Sequence, residues 1–287
     1  MKSKTKGILC ILAAAFGFSM MSTFVRLAGE LPSFQKAFFR NIIALIFVTF
    51  VMLKNKSSFR PQKETLPYLL CRAGFGTVGL VCNFYAIDHL VLADANMLNK
   101  LSPFFAIIFS VFILGEKPSS VQLAGVAAAF AGSVCIIKPG FAGADIFSAV
   151  IGVLGGAGAG IAYTFVRKLT LGGENGSVII FFFSAFSSLV CLPFMIAEYE
   201  PMSIKQLALL ICAGISACIG QFGITKAYSY APAKEISVYD YTQVVFAAML
   251  GFCFFGQKPD FLSIIGYILI CGAGAAMFLY NKNKACA

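Results

Sequence analysis

The tetrapeptide Thr-Phe-Val-Arg stands at residues 23–26 and returns at residues 164–167, 141 positions later. Gly-Glu-Lys-Pro at residues 115–118 has its counterpart, Gly-Gln-Lys-Pro, at residues 256–259, at the same offset. Two further pairs keep this offset: Ala86 with Ala227, and Gly125 with Gly266. Because one spacing relates markers spread over most of the chain, the sequence consists of two related halves.

The composition is that of a membrane protein. Of the 287 residues, 59% are hydrophobic and 12% are charged, and the mean hydropathy is +0.87. Soluble domains are about a quarter charged. Apolar segments near the length needed to cross a bilayer, about 20 residues, predict ten spans: residues 7–28, 35–53, 67–87, 92–114, 120–138, 147–168, 177–197, 205–228, 233–255 and 260–280.

Each half holds five spans, and an odd number of crossings turns the second half upside down relative to the first. We therefore predict an all-α membrane protein with ten transmembrane helices in two inverted five-helix repeats, residues 1–141 (TM1–TM5) and 142–287 (TM6–TM10). Inverted repeats with a binding site near the midplane between them are typical of secondary transporters.

The basic residues predict the orientation. With the amino terminus in the cytoplasm, 13 of the 22 Lys and Arg residues fall on cytoplasmic loops, 4 on outer loops (Lys36 among them) and 5 within spans. This bias follows the positive-inside rule. We expect a multi-pass protein of the cell (inner, cytoplasmic) membrane with both termini cytoplasmic, and the net charge of +10 then requires no nucleic-acid partner.

Polar residues interrupt the fourth span. Asn96, Asn99, Lys100 and Pro103 are spaced i, i+3, i+4 and i+7, which places them on one helix face. A charge at the centre of a membrane helix costs about 2.5–3.5 kcal/mol on insertion scales, so an ionisable residue there indicates function. Proline also frees the carbonyl four residues earlier, which is that of Asn99.

The second half supplies the opposite charge. Adding 141 to Asn99 gives Asp240, and adding it to Lys100 gives Tyr241. A midplane site flanked by a cation and an anion suits a zwitterionic or mixed-charge solute. Two alternatives remain open: an ion pair between Lys100 and Asp240 that only locks the halves together, and a pair that opens for substrate.

Each candidate substrate-binding residue has an expected role. Lys100 would hold a carboxylate or similar anion and Asp240 an amine. The hydrogen-bonding candidates are Asn96, Asn99 and Gln243, and the candidates for covering an apolar or ring portion are Tyr85, Tyr239 and Tyr241. Arg40 and Gln221 complete the set. Arg40 and Arg72 lie inside spans two and three, and for each of them snorkelling towards the interface is the alternative to substrate contact.

No catalytic, metal or cofactor site can be assembled. The chain has one histidine, no C-x-x-C motif and no clustered carboxylates, so neither zinc ligation nor a Ser-His-Asp arrangement is expected. We predict that the protein is not an enzyme and binds no metal or cofactor.

The motifs resemble those of a known family. Residues 84–87 (Phe-Tyr-Ala-Ile), 92–95 (Leu-Ala-Asp-Ala), 102–105 (Ser-Pro-Phe-Phe) and 115–117 (Gly-Glu-Lys) look like the first half of an EamA-type carrier of the drug/metabolite transporter (DMT) superfamily. Residues 221–260 repeat the signature. The resemblance implies a central cavity lined by spans one to four and six to nine. The resemblance also implies that spans five and ten (TM5 and TM10) do not line the cavity and often form a homodimer contact.

The expected function is that of a secondary transporter for a small polar metabolite, amino acid-like or S-adenosylmethionine-like, working by alternating access between the faces of the lipid bilayer. The alternative substrates are an organic anion, riboflavin or a nucleoside-type solute. A hypothesis of another class is a membrane partner subunit or lipid-handling protein without a soluble substrate.

Overall fold

The computed structural model describes residues 3–115, 118–138, 145–230 and 237–284. Within these ranges every regular element is helical: α1 (Ser3–Leu27), α2 (Ser33–Lys54), α3 (Leu66–His89), α4 (Leu92–Asn99), α5 (Ser102–Ile113), α6 (Ser120–Ile137), α7 (Ile146–Leu171), α8 (Gly176–Ala197), α9 (Ile204–Tyr230), α10 (Thr242–Phe255) and α11 (Phe261–Lys284). Short 3-10 turns occupy Lys63–Thr65 and Ser237–Tyr241.

The predicted all-α membrane fold is confirmed. Among the described residues, nine segments are long and apolar enough to cross a bilayer, with α4 and α5 together forming one of them. Tyr239–Phe255 is a shorter apolar helix in the position of the ninth predicted span. The chain is therefore a multi-pass membrane protein. Glu116 and Lys117 of the first loop motif, and Lys234 and Glu235 ahead of α10, lie outside the described residues.

Polar side chains define where several helices begin. Ser119 and Gln122 form a reciprocal capping box at the start of α6, which satisfies backbone N–H groups that have no partner within the helix. The Asp145 carboxylate accepts a hydrogen bond from the Ser148 N–H at the start of α7. Hydrogen bonding from Ser148 holds the pKa of Asp145 below its ordinary value.

Helix pairing follows the repeat. The most extensively packed pairs each combine one helix from each half: α1 with α9, α3 with α7, α2 with α8, and α6 with α11. The first two pairs are equivalent under the repeat. TM1 (α1) corresponds to TM6 (α7), and TM3 (α3) corresponds to TM8 (α9), so the contact of α1 with α9 corresponds to the contact of α7 with α3. The core is thus an interface between the halves.

Glycines allow the closest of these crossings. A Cβ on Gly17 of α1 would lie 3.0 Å from the Gly220 nitrogen of α9, and a Cβ on Gly158 of α7 would lie 2.9 Å from the Gly79 nitrogen of α3. The four glycines are repeat mates, since 17 and 158, and 79 and 220, differ by 141. Small residues of this kind let two helix backbones approach within a membrane.

Both halves have a short non-α segment at nearly equivalent positions. In the first half, α4 ends at Asn99 and α5 begins at Ser102, with Lys100 between them and Pro103 in the first turn of α5. In the second half, the 3-10 turn Ser237–Tyr241 precedes α10. Interrupted helices near the midplane expose backbone polar groups where a transporter binds its solute.

The counting of Lys36 as an outer-loop residue was wrong. Lys36 lies in the first turn of α2, has no exposed surface, and its Nζ is 2.7 Å from both carboxylate oxygens of Asp88 on α3. The partner is 52 residues away, so an average of hydropathy along the chain cannot detect it. Nearby, the Arg26 guanidinium donates to the carbonyls of Ile87 and Leu90, where a cation stabilises the carboxyl end of α3.

Candidate functional site

The two charges expected near the midplane meet. Lys100, between α4 and α5, places its Nζ 2.5 Å from Oδ2 of Asp240 in the 3-10 turn before α10. Their side chains keep 10% and 21% of their surface exposed. Because both side chains are largely enclosed, losing one partner would leave an uncompensated buried charge.

The pair has unused hydrogen-bonding capacity. An ammonium has three donors, and Asp240 is the only hydrogen-bond partner of Lys100 Nζ within the described ranges. The other carboxylate oxygen of Asp240, Oδ1, is enclosed and has no partner there. The geometry therefore leaves sites on both charges that a third polar group could occupy.

Asn96 and Gln243 hold helices together. Asn96 Oδ1 accepts from Gln243 Nε2 at 2.7 Å and from Ser22 Oγ at 3.2 Å. Asn96 Nδ2 donates to the Leu92 carbonyl at 2.8 Å. These bonds join α1, α4 and α10, and they use the amide of Asn96, a residue with 1% of its surface exposed. Asn99 is half-buried and makes no side-chain hydrogen bond with the described residues.

The structure places the three candidate tyrosines apart. The Tyr85 ring stacks on His89 with centroids 4.1 Å apart, near the end of α3. Tyr239 packs with Ile11 of α1. Tyr241 turns towards α11, where a Cβ on Gly274 would lie 2.6 Å from its ring. Gln221, the remaining candidate of the second half, is half-buried on α9.

Two arginines lie in the core of the bundle. Arg40 on α2 and Arg72 on α3 are 3% and 8% exposed. Arg40 Nη1 donates to Asn41 Oδ1 at 2.6 Å, and the Arg72 guanidinium lies 3.8 Å from the centre of the Phe183 ring, a cation–π contact. The two arginines lie on α2 and α3, which pack against each other, and they are within electrostatic range of each other.

A tyrosine of α7 lies near several of these charges. Tyr163 is 52% exposed, and its hydroxyl lies within electrostatic range of Arg40, Arg72 and Asp240. The charged residues of α2, α3 and the 3-10 turn thus have this tyrosine as a common neighbour.

The sequence reasoning missed the polar face of α8. Ser184, Ser187 and Ser188 lie on the side of α8 that is buried against α2 and α3. Ser187 Oγ accepts from Asn41 Nδ2 at 2.8 Å. The detectable signal was the spacing of these serines, i, i+3 and i+4, within an apolar span.

Two related halves, with an ion pair between the break in the first half and the 3-10 turn in the second, define a membrane carrier of the inverted-repeat class. The chain belongs to the EamA-like transporter family, whose profile matches residues 5–138 and, a second time, residues 146–280. The protein is therefore a transporter and not an enzyme.

Several known proteins are similar over nearly the whole chain. The pseudopaline exporter CntI of Pseudomonas aeruginosa is 33% identical, with 96% of this chain and 97% of the exporter aligned. The S-adenosylmethionine uptake transporter of Rickettsia prowazekii is 24% identical, with 99% and 96% aligned. A solved crystal structure with 18% identity superposes with a TM-score of 0.66, covering 97% of this chain and 98% of the other, and supports the fold.

Proposed function

We propose that this protein is a secondary transporter that moves a small polar, mixed-charge metabolite across the inner membrane by alternating access. Amino acids and S-adenosylmethionine-like solutes fit, since each carries both signs of charge. The excess of basic residues on the predicted cytoplasmic loops supports an orientation with both termini in the cytoplasm.

The Lys100–Asp240 ion pair carries this proposal. It joins the break between α4 and α5 in one half to the 3-10 turn before α10 in the other, and the two halves must move relative to each other in alternating access. A solute with a carboxylate and an amine can replace each partner of the pair: the carboxylate binds Lys100, and the amine binds Asp240. Both charges then stay compensated while the helices separate, so solute binding lowers the free-energy cost of opening.

Similar proteins support a small solute. The names of two of them specify pseudopaline export and S-adenosylmethionine uptake. A transporter of organic anions is the second candidate, and one observation favours it: none of the ion pairs among the described residues includes Arg40 or Arg72.

The test is counterflow in proteoliposomes, because it reports exchange whatever the physiological direction. Vesicles are loaded in turn with amino acids, S-adenosylmethionine and dicarboxylates, and uptake of the labelled solute is followed. For the solute that exchanges, Lys100→Gln and Asp240→Asn should lower the rate at least about tenfold, the effect of 1.4 kcal/mol. Lys138→Gln is the matched control, because Lys138 pairs with Asp260 at the end of α6. Unchanged exchange in both core variants would refute the proposal.

We also propose a homodimer through TM5 and TM10, here α6 and α11. Their outer surface is apolar, with Leu123 and Val134 of α6 and Ile268 of α11 exposed, and the groove between the helices is lined by Gly125 and Gly272 among other small residues. Cysteine cross-linking at Leu123 and Ile268 in native membranes should trap a dimer. Monomer alone at every position along both helices would contradict this arrangement.

A further inference from the structure

Unpartnered polar atoms are concentrated in one place. Eight enclosed side-chain atoms have no hydrogen-bond partner in the described part of the chain, and five of them belong to four residues: Arg40, Arg72, Ser184 and Ser188. These residues come from α2, α3 and α8, three helices packed against one another. Enclosed polar groups are normally paired, so this concentration indicates a place where the polar groups of a ligand bind.

The unpartnered atoms suit an anionic ligand group. Arg40 Nε, Arg72 Nε and Arg72 Nη1 are all donors without an acceptor, and a guanidinium has only donors. The hydroxyls of Ser184 and Ser188, one helical turn apart on α8, can donate as well. No carboxylate among the described residues pairs with either arginine.

A purely structural role does not explain the two arginines. Elsewhere the chain satisfies its enclosed cations: Lys36 binds both oxygens of Asp88, and Arg26 binds two backbone carbonyls. Among the described residues, Arg40 donates only to its neighbour Asn41, and the Arg72 guanidinium lies on a phenylalanine ring. Enclosed charges that are not paired with a carboxylate are unfavourable for folding, as is expected of residues kept for binding an anion.

We propose that Arg40, Arg72, Ser184 and Ser188 form an oxyanion subsite, and that the transported solute carries a carboxylate or phosphate group that binds there. The planar fork of arginine matches either group with two parallel hydrogen bonds. The identification of the bound group as part of the solute rests on the transport function proposed above.

The same charges specify the solute further. Arg40, Arg72 and Asp240 lie within electrostatic range of Tyr163, and Asp240 pairs with Lys100. Together these four residues supply three positive charges and one negative charge. A complementary solute has more anionic than cationic groups, with one anionic group at the arginines and the other charges at the Lys100–Asp240 pair. This extends the mixed-charge solute to one with a net negative charge.

The experiment measures thermal unfolding of the full-length protein in detergent. The variants are Arg40→Gln and Arg72→Gln, with Arg26→Gln as the control for an arginine that has partners. Without added ligand, Arg40→Gln and Arg72→Gln should each raise the Tm by roughly 2 °C or more, because each removes an unpaired enclosed charge. Arg26→Gln should lower the Tm, because it removes bonds to two carbonyls.

Anion binding is then tested with succinate, inorganic phosphate, neutral succinamide and chloride at matched ionic strength. Succinate or phosphate should raise the Tm of the wild type by about 2 °C or more, and the more effective of the two identifies the group. Succinamide should have no effect, and the shift should disappear in Arg40→Gln and Arg72→Gln but persist in Arg26→Gln.

Three results would overturn the subsite: no anion shifts the wild type, the anions shift Arg40→Gln and Arg72→Gln as much as the wild type, or both variants lose stability as Arg26→Gln does. The transport proposal fails separately. If Lys100→Gln and Asp240→Asn leave counterflow intact while the anion shift depends on the arginines, the subsite stands and the role of the ion pair falls.

Discussion

Replacing the charges of the Lys100–Asp240 pair tests whether they hold each other. Removing one partner of an enclosed ion pair typically costs 3–5 kcal/mol, because the other charge is left unpaired. Asp240 keeps 21% of its side-chain surface exposed, so water offsets part of this cost, and we expect about 3 kcal/mol for Lys100→Met or for Asp240→Leu. The double variant should recover most of the loss, since apolar replacements of similar volume are often neutral.

The assay can use the cysteines of the chain. There is no tryptophan, but the described part contains free cysteines, of which Cys191 and Cys218 are buried. A thiol-reactive dye that fluoresces on coupling labels the exposed Cys212 and Cys253 first, so the later coupling to Cys191 and Cys218 reports unfolding. At about 2 °C per kcal/mol, each single variant should unfold about 6 °C below the wild type, and the double variant within about 2 °C of it.

Additive losses in the double variant would show that the two charges do not interact energetically, and would refute the reasoning from their separation of 2.5 Å. The double variant also separates locking from solute binding. It should be stable yet inactive in counterflow, because the solute has lost both charged contacts. Stability together with unchanged counterflow would leave the pair with a purely structural role.

Three further predictions use the same unfolding assay. Asn96→Ala should lower stability by about 1–3 kcal/mol, because it leaves the enclosed Gln243 Nε2 donor without its acceptor. An altered KM in counterflow with unchanged stability would instead indicate solute contact. Gly158→Ala should lower stability by about 1–3 kcal/mol, because the added Cβ overpacks against the backbone of α3. Gly74→Ala is the control and should have little effect, because nothing lies within 4 Å of its added Cβ. Equal losses of stability in the two variants would contradict the close crossing of α7 and α3. Burial acts to raise the pKa of Asp260, but hydrogen bonds from its lysine partner and from backbone outweigh it and hold the pKa below its ordinary value. The ionised carboxylate of Asp260 therefore contributes to folding stability above about pH 4, and this contribution is lost as the pH falls further. In Asp260→Asn the Tm should consequently fall less steeply as the pH is lowered below about 4.

The repeat and the spans were accessible to sequence reasoning because both are one-dimensional patterns. An offset of 141 survives in short motifs, and the length of a membrane helix is set by the thickness of the bilayer. The same offset predicted that Lys100 and Asp240 lie at equivalent depth, and the ion pair between them was one of the alternatives that the sequence left open. The distance of 2.5 Å required the folded chain.

Only the tertiary structure decided which polar residues face one another. Helix rotation is fixed by packing between the halves: Asn96 turns to Gln243, and Tyr241 turns to α11. Neither orientation follows from position along the chain. Arg40 and Arg72 look alike in the sequence, as cations that could snorkel, and it is their enclosure beside the serines of α8 that makes them a candidate site. Hydropathy and periodicity thus determined how often the chain crosses the membrane, whereas contacts between residues distant in sequence determined what the crossings can bind.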